Sequence, residues 1–315
     1  MVRSSSASRG LLLVSLAGVI WGTTGPVVQL TVRHSALSPI TISAYRALAA
    51  AAALDVILVL SGRMRRSLTS AQRHRGRLVV VGLLIAISQL LFFMSVEWAG
   101  VSVSTVVCMG FAPTLLLVVT SARNRRPPSI CQVIVVATAV SGLLLISLGG
   151  GGRQHASSPA IGVLAALGAG AAFAFTADAG APLSRGVDPL TITTAIMNVA
   201  ALVLVPCDVL LAVAGHGAST ADGGSWLLVG YLAFGVVATN SLMFAGLRST
   251  SSGATVLATL IEPVTAVLIA AAFLGEHLTA AGVTGCVLIV AAIAGLGRVE
   301  ERVPHPGPDV TPTPL

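Results

Sequence analysis

Long apolar stretches recur along the whole chain, and they limit its fold more than any other feature. Ten stretches of about 20 residues each are separated by short segments that hold most of the charged residues. A helix needs about 20 apolar residues to cross a hydrocarbon core of roughly 30 Å, whereas a barrel strand needs about 10 residues of alternating polarity. Helices also satisfy every backbone N–H and C=O internally, as lipid requires. The pattern therefore predicts an all-α integral membrane protein.

Composition agrees with this prediction. Hydrophobic residues make up 55% of the 315 residues and charged residues only 9%, whereas a soluble domain carries roughly 25% charged residues. We predict ten spans, at residues 11–32, 38–60, 78–98, 101–120, 130–148, 160–182, 191–213, 226–247, 254–274 and 280–296.

The arginines predict the orientation of these spans. All 18 basic residues are arginine, and with a cytoplasmic N-terminus fifteen of them fall in cytoplasmic segments, as the positive-inside rule requires. Only Arg33 and Arg153 fall outside, and Arg46 lies within a span. We therefore predict a multi-pass protein of the cytoplasmic membrane with both termini inside. Its net charge of +7 is explained by contact with anionic lipid headgroups, without a nucleic acid partner.

The chain repeats itself with a constant offset of 150 residues. Pro39 matches Pro189, and further identical pairs are Thr41 and Thr191, Ile42 and Ile192, Ser102 and Ser252, Thr105 and Thr255, and Pro113 and Pro263. Each copy holds five spans, and because five is odd the second copy must be inverted relative to the first. Inverted repeats are typical of carriers that work by alternating access around a site near the midplane. The predicted parts are a cytoplasmic N-terminus (1–10), a first repeat (11–148), an outside linker (149–159), a second repeat (160–297) and a disordered cytoplasmic tail (298–315).

Several motifs resemble one known family. They are Val19-Ile20-Trp21-Gly22 in span one, an arginine early in span two (Arg46), and the stretch 254–297, with Leu260-Ile261-Glu262-Pro263-Val264 and Phe273-Leu274-Gly275-Glu276-His277. With the ten-helix layout, these residues resemble the EamA branch of the drug/metabolite transporter superfamily over residues 11–297. The resemblance implies secondary transport of small metabolites, often export of amino acids or related compounds.

Ionisable groups inside spans are costly, so Arg46 and Glu262 are the main candidates for a site. Each lies eight residues into its predicted span, about 12 Å deep from opposite faces, which leaves their backbones about 6 Å apart in depth. A buried pair is therefore possible, and its role is either functional or purely architectural. Glu262 is the candidate partner for a proton or for a substrate amine. Thr255 and Thr259 share its face of span nine at helical spacing.

Other polar groups and prolines complete the predicted pathway. Span one carries a Gly and Pro interruption that is typical of a broken helix at a binding site. Pro113 and Pro263 occupy matched places in spans four and nine, where they loosen or kink the helix. The predicted pathway residues are Trp21, Thr24, Gln29, Tyr45, Arg46, Gln89, Asn240, Thr255, Thr259 and Glu262, and the predicted kink residues are Pro26, Pro113 and Pro263.

Other functions are less consistent with the sequence. The Gly-rich stretch at 149–152 lacks the Lys and Ser or Thr of a phosphate loop, so an ATP-driven pump is disfavoured. An intramembrane enzyme would need a nucleophile with its base, or metal ligands, yet all six histidines lie outside the predicted spans and the four cysteines are scattered singly. We predict no catalytic residue, metal or cofactor. A non-transporting receptor or scaffold remains the alternative, and a homodimer remains open.

Four acids lie near predicted span ends. Asp55, Glu97, Asp178 and Asp208 are expected to reach the headgroups and to need no function.

Overall fold

A computed structural model describes residues 4–34, 37–149, 158–214, 223–273 and 279–300, and all regular secondary structure in these ranges is helical. The helices are α1 (Ser4–His34), α2 (Pro39–Leu60), α3 (Met64–Arg73), α4 (Arg75–Ala99), α5 (Val101–Asn124), α6 (Ile130–Gly149), α7 (Pro159–Gly186), α8 (Pro189–Val213), α9 (Gly223–Gly246), α10 (Ser252–Ala258), α11 (Ile261–Phe273) and α12 (Ala280–Glu300). Residues 274–278, which hold most of the predicted family motif that begins at Phe273, lie outside the described residues, as do most of the linker and most of the tail.

Eight helical segments in the described part of the chain are long and apolar enough to cross a membrane. They comprise α2, α4 to α9, and the consecutive pair α10 and α11 taken together. The apolar part of α12, Ala280–Leu296, is shorter. Several side chains of α1 lie outside the described residues. The all-helical membrane architecture is thus confirmed, while the count of ten spans stays a prediction.

Helix α3 was not predicted, because its sequence has no apolar stretch. It connects α2 to α4 and packs against α8. Ser67 is buried and Ala71 packs on the core, whereas Arg65, Arg66 and Arg73 are exposed. A short amphipathic helix of this kind suits the boundary between lipid and water, where its arginines reach headgroups.

Pro263 breaks the predicted ninth span. A proline has no N–H and its ring clashes with the carbonyl four residues earlier, which here belongs to Thr259. That carbonyl instead accepts from the N–H of Glu262 at 2.9 Å, and the helix is interrupted at Thr259 and Leu260. The break separates α10 from α11, so Thr255 and Glu262 do not share one continuous helix face as predicted.

The other two predicted kink sites do not interrupt their helices. Helix α5 continues through the buried Pro113, and the backbone of α1 continues through Pro26 from Ser4 to His34. The broken helix expected in span one is therefore absent, because the described backbone there is helical on both sides of the proline. The side chain of Pro26 lies outside the described residues.

Contacts near the helix ends show which loops lie at the same end of the bundle. At one end, Arg63 lies 3.6 Å from Asp188, and Arg123 lies 2.7 Å from Asp178. At the other end, the N–H of Ser158 donates to the carbonyl of Trp98 at 3.2 Å. Helix α2 therefore runs antiparallel to α8 and α4 antiparallel to α7, whereas α5 and α7 run parallel. The first end carries α3 and most arginines of the described chain.

Asp208 corrects one expectation about the acids. Its side chain is buried instead of reaching the headgroups, and its Oδ1 accepts from the hydroxyl of Thr41 at 2.7 Å. Thr41 in turn lies 2.8 Å from the hydroxyl of Ser38, which caps α2. The carboxylate thus connects the end of α8 to the start of α2, because a buried polar group is stable only when it is hydrogen-bonded.

We expect Asp208→Ala to lower the free energy of unfolding by about 1 to 3 kcal/mol, because it removes the buried acceptor of Thr41. Asp208→Asn should cost much less, since an amide oxygen still accepts. Asp188→Ala is the control, and its exposed pair with Arg63 should contribute at most about 1 kcal/mol. Thermal unfolding of the three purified variants in detergent measures this order, and equal effects of the two alanine variants would contradict it.

Candidate functional site

Arg46 and Gln89 form the polar core of the candidate site. Both side chains are half-buried, and a guanidinium Nη2 of Arg46 donates a hydrogen bond to Oε1 of Gln89. The bond joins α2 to α4 within the first half of the chain. The sequence predicted each residue as part of the pathway but did not predict that they bond to each other. A charged guanidinium with a fixed partner is a preorganised group for binding an anion.

Glu262 supplies the opposite charge from the second half of the chain. It is half-buried and is the second residue of α11, directly after the break at Thr259 and Leu260. Its charge and that of Arg46 act on each other electrostatically. However, no ion pair within 4.0 Å joins them among the described residues, where the ion pairs are Arg63 with Asp188 and Arg123 with Asp178. The direct pair that the sequence left possible is therefore not formed.

Helix α1 packs closely against the break because it presents glycines there. A Cβ added to Gly22 would lie 2.6 Å from the carbonyl oxygen of Glu262 and 2.5 Å from Cβ of Thr265. A Cβ on Gly18 would lie 2.5 Å from Cγ2 of Ile261. Gly18 and Gly22 form a GxxxG pattern, in which small residues let two helices approach at the backbone. This packing fixes the position of Glu262 relative to α1.

Trp21 lies beside this contact. Its ring meets Phe173 of α7 edge-on, with 6.0 Å between centroids, and packs against the larger core cluster. The carbonyl of Trp21 accepts from the hydroxyl of Thr24 at 2.6 Å. Phe173 was not singled out from the sequence, because one phenylalanine in an apolar helix carries no signal of its own.

Cys108 of α5 is a second residue that the sequence analysis did not place at the site. The buried thiol lies within the range at which the charge of Glu262 would act on a thiolate. Helix α5 is held there because a Cβ on Gly170 of α7 would lie only 2.4 Å from the carbonyl oxygen of Cys108.

The two threonines predicted beside Glu262 are buried and bonded locally. Thr255 lies 3.0 Å from the hydroxyl of Thr250, and Thr259 donates to the carbonyl of Val256 at 2.8 Å. Their hydroxyls therefore stabilise the ends of α10.

Tyr45 and Asn240 also make contacts other than those with Arg46 or Glu262. The ring of Tyr45 packs on Trp226 of α9 at 5.2 Å between centroids. Asn240 is buried and its amide donates to the carbonyl of Val236 at 2.9 Å within α9. The side chain of Gln29 lies outside the described residues.

The described residues contain no group of three or more His, Cys, Asp or Glu side chains that could hold a metal ion. The charged side chains of the candidate site are the guanidinium of Arg46 and the carboxylate of Glu262. Such a set can bind and orient a small charged molecule.

The chain is similar to known proteins over almost its whole length. The model of the EamA-like transporter family matches the chain twice, over residues 8–148 and 160–298. An uncharacterized transporter of Bacillus subtilis (strain 168), YwfM, is 27% identical over 295 residues, which cover 92% of this chain and 94% of the relative. One crystal structure superposes with a TM-score of 0.77 at 17% identity, covering 95% of this chain and 100% of the other, which shows a shared fold.

Proposed function

Because the chain belongs to the EamA-like transporter family, we propose that it is a secondary carrier that moves small zwitterionic metabolites across the cytoplasmic membrane by alternating access. The main support for this proposal is that Arg46 and Glu262 do not form a direct ion pair. Two unlike charges from different halves of the chain face one region without forming an ion pair among the described residues. A substrate with a carboxylate and an ammonium group would satisfy both charges.

The substrate class follows from the two side chains. A guanidinium binds a carboxylate through two parallel N–H donors, and a carboxylate binds an ammonium through a charge-assisted hydrogen bond. Free amino acids carry both groups on one carbon, so they match a site with one fixed charge of each sign. Trp21 and Phe173 would then contact the apolar part of the substrate. Net export is the direction that the family resemblance favours.

Helix packing supports the two-repeat arrangement that alternating access needs. An offset of 150 residues relates α1 to α7, α2 to α8, α4 to α9, and α5 to the pair α10 and α11. The packing of α4 on α7 then corresponds to that of α1 on α9, while α2 packs on its own counterpart α8. We propose that α1 and α12 complete ten spans, in two inverted halves with both termini in the cytoplasm.

Substrate-dependent thermal stabilisation of the purified protein tests the proposal. Free amino acids should raise the unfolding temperature, whereas their methyl esters and the corresponding decarboxylated amines should not, because each lacks the carboxylate that Arg46 binds. In a variant that keeps Cys108 as its only cysteine, the same amino acids should slow maleimide labelling, because the thiol lies near Glu262. Equal stabilisation by an amino acid and its ester would contradict a zwitterion site.

A further inference from the structure

A cleft lies on the outside of the helix bundle, between α2 and α8. Its volume is 360 Å³, within the range typical of ligand sites. Its walls are mostly apolar, and Leu48 and Leu202 are 48% and 75% exposed. A cleft bounded by exposed leucines on a membrane-spanning bundle opens to lipid. It is distinct from the candidate substrate site, since it contains neither Arg46 nor Glu262.

One carboxylate lies in this apolar cleft. Asp55 is half-buried, and both of its oxygens lie 3.3 Å from Nδ2 of Asn198, which also donates to the carbonyl of Thr194 at 3.0 Å. A single amide hydrogen shared by the two oxygens stabilises a carboxylate next to lipid only weakly. No arginine of the described residues lies within 4.0 Å of Asp55. The carboxylate therefore retains capacity to accept strong hydrogen bonds from a cation.

A proline in the cleft wall leaves one backbone acceptor of α8 without its helical donor. Pro206 belongs to the cleft wall and interrupts the hydrogen bonds of α8, because it has no N–H to donate to the carbonyl of Leu202. The small side chains of Ala52 and Ala201 leave open space beside these groups. The cleft thus combines a carboxylate, a carbonyl without its usual helical donor and an apolar wall. These groups complement a primary ammonium on an amphipathic molecule.

The depth of Asp55 favours a lipid as that molecule. Asp55 lies five residues before the end of α2, which places it about 7 to 8 Å from that end. The arginine-rich segment begins just beyond, at Arg63, Arg65 and Arg66. Asp55 therefore lies close to the headgroup region at this end, where the ammonium of a lipid can reach it through the exposed edge of the cleft. We propose that the α2/α8 cleft binds an aminophospholipid of the phosphatidylethanolamine type from the leaflet at the arginine-rich end.

The test compares headgroups that differ only in N–H donors. Purified protein in detergent receives dioleoyl phosphatidylethanolamine, its N,N-dimethyl derivative or dioleoyl phosphatidylcholine, which carry three, one and no N–H donors. The unfolding temperature of the wild type should rise by several degrees with the first lipid, less with the second and least with the third. Native mass spectrometry should show the same order of lipid retention.

Asp55→Asn should weaken retention of phosphatidylethanolamine by about tenfold or more, the scale of a hydrogen bond to a charged group, and leave phosphatidylcholine retention unchanged. Glu97→Gln removes an exposed acid and should retain the lipid as the wild type does. Should Asp55→Asn fail to fold, Leu202→Trp fills the cleft from its exposed edge and should give the same loss.

Three results would overturn the proposal. The first is equal retention of the three lipids by the wild type. The second is an equal thermal shift from water-soluble phosphoethanolamine, which would point to a free solute. The third is a cross-link between Leu202→Cys residues of two copies, which would mean that a second copy covers the cleft. None of these results depends on substrate transport, so they are independent of the test of the proposed function.

Discussion

Replacing Glu262 with glutamine is expected to abolish stabilisation by zwitterionic substrates and to remove most of the transport activity. The substitution keeps the size and hydrogen-bonding capacity of the side chain but removes its charge. A hydrogen bond between charged groups contributes about 1.5 to 3 kcal/mol, so affinity for an amino acid should fall about tenfold to a hundredfold. If Glu262 also carries the coupling proton, the pH dependence of uptake into proteoliposomes should disappear in the same variant.

Glu97→Gln is the matched control, since Glu97 is an exposed acid near the end of α4. It should transport at the wild-type rate. Arg46→Gln should also lower substrate affinity, because it removes the other fixed charge and leaves Glu262 without an opposing charge. Arg46→Gln should reduce stabilisation by amino acids to the level of the decarboxylated amines, which have no carboxylate for Arg46 to bind. Wild-type transport and unchanged pH dependence in Glu262→Gln would contradict both roles of this residue.

The sequence could predict the fold class and single out the two charges because both steps depend on rules that act residue by residue. Apolar runs of about 20 residues define spans in lipid without knowledge of their neighbours. A charged residue within such a run is expensive wherever the helix packs, so Arg46 and Glu262 were identifiable as a functional hypothesis. The membrane fold and the family are confirmed, whereas the roles of the two residues remain predictions.

Side-chain partners could not be predicted, because they depend on the rotation and packing of several helices. Gln89 was a candidate, but its bond to Arg46 requires a specific alignment of α2 with α4. Asp208 was assigned to the headgroups from its position near a span end, yet the start of α2 covers it and Thr41 bonds to it. The sequence shows how deep a residue lies along its own helix, but it does not show which other helix covers that residue.

The prolines show the same limit in the backbone. Each removes one helical hydrogen bond, but only at Pro263 does the described helix break. At that place the carbonyl of Thr259 has an alternative donor in Glu262, and α1 packs against the resulting turn through Gly18 and Gly22. A proline therefore permits a break, and the neighbouring helix determines whether the break forms.

The contact of α1 with this break should be highly sensitive to side-chain size. Gly22→Ala places a methyl group 2.5 Å from Cβ of Thr265 and 2.6 Å from the carbonyl oxygen of Glu262. A backbone carbonyl cannot move aside without shifting α11, so α1 and α11 must separate. Overpacking of this kind costs about 1 to 3 kcal/mol, and it also displaces Glu262. We expect a lower unfolding temperature together with a loss of transport as large as that of Glu262→Gln.

Gly230→Ala separates this effect from helix propensity. Gly230 lies within α9, and a Cβ there would meet nothing within 4 Å. Alanine is favoured over glycine in a helix interior by about 1 kcal/mol, so Gly230→Ala should leave stability unchanged or slightly raised and transport intact. Opposite changes in stability for the two variants would show that the close approach of α1 to the break at Thr259 positions Glu262. The helical propensity of α1 would not explain such a difference. A Gly22→Ala variant with the stability and transport of Gly230→Ala would contradict the proposal that this contact fixes the site.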